Sequence, residues 1–121
     1  MKRKMALSRI LEEYVETVTV SGGTGTYTSP SIEGILITLI AVPTTLTDDH
    51  EAKTDKTVFD LEVTDRNSIK IYPETDDPEA ISYSGRLVHN GLRIPMIGVH
   101  TFTFSNVNND EDITLKFVLE K

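Results

Sequence analysis

The 121 residues predict a single all-β domain, an antiparallel β-sandwich of about eight strands, jelly-roll-like or immunoglobulin-like. Three observations lead there. Apolar residues recur at every second position through most of the chain, and the runs are short and separated by polar turns. Almost no stretch carries the 3.6-residue period of a helix. The length suits one domain able to bury a core without staples. The sandwich is expected over 14–121, behind a basic arm at 1–13.

The first strand begins at Tyr14, where Tyr14, Val18 and Val20 alternate with Val15, Thr17 and Thr19. Residues 21–31 (SGGTGTYTSPS) are small, glycine-rich and closed by Pro30, the composition of a loop. Ile32 to Val42 (IEGILITLIAV) is the strongest strand, with Leu36, Ile40 and Val42 on one face and Ile35, Ile37 and Leu39 on the other. A sandwich strand needs one apolar face. The second must therefore be covered by a loop, by the arm or by another subunit.

After a polar connection over 43–56, Phe59, Leu61 and Val63 alternate with Asp60, Glu62 and Thr64. A short strand follows at 68–72 with Ile69 and Ile71 inward, then an acidic loop, PETDDPEA. Asn90-Gly91 suits a two-residue hairpin turn, pairing Leu87 with Ile94 and His89 with Leu92, and Pro95 stops the second strand or leaves it at an edge. His100, Phe102 and Phe104 share one face of the next strand. Ile113, Leu115, Phe117 and Leu119 form the inner face of the last one, which builds the carboxyl terminus into a sheet.

Charge and composition exclude several functions. With no cysteine there is no disulfide, thiolate metal site or thiol nucleophile. A formal charge of −7 argues against nucleic acid, whose phosphates need a basic face. No export signal is read in Met1 to Leu11, and the longest apolar run, Ile35 to Val42, is too short for a bilayer. No G-x-S-x-G elbow or P-loop occurs, and His50, His89 and His100 fall in a loop, a hairpin and a strand, so no catalytic residue and no cofactor are assigned. Asp76, Asp77 and Glu79 are weak calcium candidates, as are Asp110, Glu111 and Asp112; neither set has EF-hand spacing. A carbohydrate- or calcium-dependent binding module is the alternative function. It would use Tyr27, Tyr72 and Tyr83, expected at the surface, in a chain without tryptophan.

The order of segments resembles small head-decoration, or cement, proteins of tailed bacteriophages. The likeness rests on the glycine-rich loop, on Pro30-Ser31-Ile32-Glu33-Gly34 leading into a hydrophobic strand, and on VFDLEVTD. It continues through Tyr72-Pro73, FTFSN at 102–106 and the closing ITLKFVLE. After Tyr72-Pro73 this chain is acidic, where those proteins carry a basic residue. The resemblance implies a virion structural protein on the capsid surface, assembled in the host cytoplasm, or a tail-associated relative. Its partners would be itself, as a trimer or dimer, and the major capsid protein or another virion protein. The expected contact residues are Lys2, Arg3, Lys4 and Arg9 of the arm and Ile35, Ile37 and Leu39 of the two-sided strand.

Overall fold

The computed structural model describes residues 10–44, 57–73, 82–108 and 111–121. They form an all-β sandwich of nine strands: β1 (Leu11–Val18), β2 (Gly25–Thr28), β3 (Ile32–Pro43), β4 (Val58–Thr64), β5 (Lys70–Tyr72), β6 (Ser82–Ser84), β7 (Leu87–Gly98), β8 (Thr101–Ser105) and β9 (Ile113–Glu120). One sheet has the order β1-β9-β3-β7. The other runs β2-β8-β4-β5, with β6 also on β4.

The antiparallel pairs β1·β9, β2·β8, β3·β7 and β4·β5 lie alternately in the two sheets. The chain is thus a long hairpin rolled up on itself, which is the jelly roll. Of the two sandwich classes that periodicity left open, this strand order selects the first. Loops gather at two poles. At one, Gly23 accepts from the Val107 amide, Thr44 donates to Asp112, and Gly85 donates to Thr57. At the other, Ser29 and His100 bond each other through backbone and hydroxyl, and the Lys121 amide donates to the Ile10 carbonyl at 2.8 Å.

The core follows the alternation. Phe59, Leu61 and Val63 of β4, Phe102 and Phe104 of β8 and all four inward residues of β9 are fully buried. Each such side chain contributes about 1.5–3 kcal/mol of transfer free energy. Rings thread the middle: Tyr14 stacks on Phe117 at 4.8 Å, and Phe117 stacks on Phe102 of the facing sheet at 4.7 Å. Asp60, buried on β4, accepts a hydrogen bond from the Asn106 amide at 2.6 Å.

Several expectations are corrected. The sheet begins at Leu11, so residues 11–13 belong to β1 and not to an arm. Within the stretch read as a loop, Gly25–Thr28 is a strand, held to β8 by a four-residue ladder. Asn90-Gly91 makes no hairpin; β7 runs unbroken through it, and the positive φ of Gly91 serves a bulge against β3. Pro95 does lie on an edge, since β7 is the outermost strand of its sheet. In β5 Tyr72 is the buried residue, 2% exposed and followed by a cis peptide bond to Pro73; Ile71 is partly buried against the core, while Ile69 is 59% exposed.

The faces of β3 are also redrawn. Against β9 the ladder shifts register between Leu36 and Thr38, where Ile37 is an extra residue, whereas against β7 the excess lies on β7, with Gly91, Leu92 and Arg93 opposite Ile37. The bulge moves the inward phase from even to odd positions, so Ile32, Leu36, Leu39 and Ala41 all point into the core.

Candidate protein interface

The bulge in β3 leaves Ile35, Ile37, Ile40 and Val42 half-buried on the outer side of the β1-β9-β3-β7 sheet. Neighbouring strands extend that apolar surface. Leu11, Val15, Val88 and Ile97 are 55, 54, 52 and 60% exposed, so no described residue covers this face. Water-exposed apolar surface of this extent across a whole sheet marks an interaction site more often than an ordinary monomer surface.

Register places the outward side chains in rows across the four strands. Leu11, Glu120, Ile35 and Pro95 make one row; Glu13, Val118, Thr38 and Asn90 the next; Val15, Lys116, Ile40 and Val88 the third. Both signs of charge occur here. Lys116 pairs with Glu13 at 2.8 Å and Arg93 with Glu120 at 3.3 Å. At the bulge, Ile37, Thr38, Gly91, Leu92 and Arg93 line a shallow hollow of about 240 Å³.

A larger cleft, about 390 Å³, opens at the pole that holds Ile10 and Lys121, between Glu12, Tyr14, Ser31, Glu33, Arg66 and Lys121 among others. Two of its charges, Glu12 and Lys121, are paired with each other. The Tyr14 hydroxyl donates to Glu12 at 2.8 Å and the Lys121 ammonium donates to the same oxygen at 3.2 Å. The Tyr14 bond, then that of Lys121, holds the Glu12 carboxyl below its ordinary 4.5. Loss of water contact, reinforced by Glu12, pushes Tyr14 up to about 12. The stem of Arg66 lies over Gly98, where a Cβ would stand 3.1 Å from Arg66 Cδ.

Of the contact residues read from sequence, Ile35 and Ile37 lie on the outer face, while Leu39 does not. Leu39 is 0% exposed inside the sandwich and is withdrawn as a contact residue, because the bulge turned it inward. Lys2, Arg3, Lys4 and Arg9 lie outside the described residues, as do Asp76, Asp77, Glu79 and Asp110. Among the described residues no three carboxylates or histidines converge as a metal site would require. Tyr72 is committed to the interior, its hydroxyl 3.0 Å from both Tyr83 and His89 Nδ1. Burial, then Tyr83, raises its pKa. It cannot serve as a surface platform for a sugar.

Sequence reasoning missed Leu11, Val15 and Val88 as face residues. Their signal was present in the register alone, since each sits opposite Glu120, Lys116 or Ile40 across a ladder that periodicity does not encode. No family model matches this chain, and no curated protein matches it.

Proposed function

We propose that this protein is a virion structural component, a head-stabilising decoration protein, which works by protein–protein contact through the outer face of the β1-β9-β3-β7 sheet. The observation that carries the reading is that face: apolar side chains on all four strands, interspersed with the paired charges Glu13, Lys116, Arg93 and Glu120, and uncovered by any described residue. The resemblance of its segment order to that of phage decoration proteins is what suggests the virion context. Apolar area removed from water would hold such an assembly together, with no reactive group needed.

Two neighbouring residues of β3 separate this reading from a merely hydrophobic monomer. Ile40 points out and Leu39 points in. Ile40→Asp should leave the melting transition near that of the parent and abolish self-association measured by light scattering, since a charge would be stranded in the contact. Leu39→Asp should unfold the chain, because the same charge enters the core. In lysates of cells producing the virus, the chain should sediment with assembled heads. A protein confined to the soluble fraction, monomeric at every concentration and indifferent to Ile40→Asp, would sink the proposal.

A further inference from the structure

Resting on the assembly reading above, we infer that two copies of this chain pack outer face to outer face about a twofold axis lying in the interface and crossing the strands. In that arrangement Glu120 of each copy meets Lys116 of the other. The rows of the face dictate the symmetry. A twofold axis of this kind, laid along the row of Val118 and Thr38, sets every strand antiparallel over its own copy and exchanges the two flanking rows. Glu120 then lies over Lys116, Ile35 over Ile40, Leu11 over Val15 and Pro95 over Val88, with Val118 over itself.

The alternative axis, parallel to the strands, preserves the rows and exchanges β9 with β3. It would set Glu120 over Ile35 and Lys116 over Ile40, placing each charge against an apolar side chain. Charge complementarity therefore selects the crossing axis. Aligned sheets pack at about −30° to one another, which displaces partners on the two central strands by only a few ångströms near the axis, within reach of Lys and Glu.

Existing ion pairs strengthen the match. Glu120 already holds Arg93, and Lys116 already holds Glu13. Joining Glu120 to Lys116 of the second copy makes an alternating chain, Arg93, Glu120, Lys116, Glu13, twice in each dimer. Networks of this kind hold charge better than isolated surface pairs. The acidic excess of the sequence, −7 in all, is no obstacle on a face whose named charges balance.

Area sets the strength. Four strands about 4.8 Å apart, over the length of about 27 Å that an eight-residue strand spans, give about 500 Å² per copy and about 1,000 Å² per dimer if the whole sheet face is used, the threshold of a specific interface. The dimer should accordingly be reversible and concentration-dependent.

The test is sedimentation equilibrium on the full chain and four variants, Ile40→Asp among them, with circular dichroism confirming that each is folded. Lys116→Glu and Glu120→Lys should each weaken dimerisation at least tenfold, by setting like charges across the seam. The double variant should dimerise more tightly than either single, because the pair across the seam is again complementary, and more weakly than the parent, because each reversed charge now stands beside a like one, Arg93 or Glu13, in its own copy. A parent whose association is lost on Ile40→Asp yet unmoved by either reversal would overturn this geometry and leave the assembly reading standing. So would a closed trimer, or a double variant no better than the singles. A parent that stays monomeric at millimolar concentration would overturn both.

Discussion

Glu12 shows how one side chain at a sheet edge couples two elements and the pH. Its carboxylate accepts from the Tyr14 hydroxyl on its own strand and from Lys121 beyond the end of β9. Both partners favour the charged form, so the folded chain holds Glu12 ionised at a pH where the unfolded chain would protonate it. A depressed carboxyl contributes stability above its ordinary pKa and loses it as pH falls through the depressed one. Asp65 behaves alike: backbone amides of Ile69 and Asn67 donate to its carboxylate and lower it. Melting temperatures followed from about pH 6 to about pH 3 should therefore fall for the parent, and less steeply for Glu12→Gln, the two curves converging at the acid end. Parallel curves would show that Glu12 makes no such contribution. The Tyr14 side of the contact has the opposite sign, since a raised tyrosine loses its contribution as pH climbs from 10 toward about 12.

The bulged middle of β3, with its partner irregularity in β7, is the element that most separates sequence from structure. Strands β4, β8 and β9 could be read residue by residue because their alternation is unbroken and the core enforces it. In β3 the apolar character of both faces was readable, while the assignment of side chains to faces was not. A single inserted residue at Ile37 flips every position after it, and nothing local to ILITLI announces the insertion. Asn90-Gly91 misled for a related reason. A positive φ suits a tight reversal and a bulge equally, and the choice was made by β3, which offers a long partner on which β7 can continue. The uneven spacing of inward residues, Leu87 and then Leu92, was the available clue. Gly91 has open space around it, so the cost of a side chain there is conformational alone. Gly91→Ala should lower unfolding free energy by about 1–2 kcal/mol in urea titration. A far larger loss would mean that the bulge is needed to hold the two strands together.

At the scale of the whole molecule, the rolled hairpin explains why candidate contact residues from distant parts of the chain share one surface. Strand β9, last in sequence, is inserted between β1 and β3, so the outer face is not complete until the final eight-residue strand is in place. Such long-range closure is slow compared with local pairing, and the chain should fold on a timescale of milliseconds to seconds. The same wiring governs how the molecule bears load. Leu11 lies opposite Glu120 at one pole, so a tether at each of these residues pulls on two neighbouring antiparallel strands from the same end. Force applied there peels the ladder open one hydrogen bond at a time, as a zipper parts, whereas a pull between Leu11 and a residue at the opposite pole, such as Thr44, would have to shear many bonds at once. Single-molecule stretching should find the first geometry weak and the second strong. A protein wired in this way can be mechanically tough or fragile according to where it is held, and its anchorage matters as much as its stability.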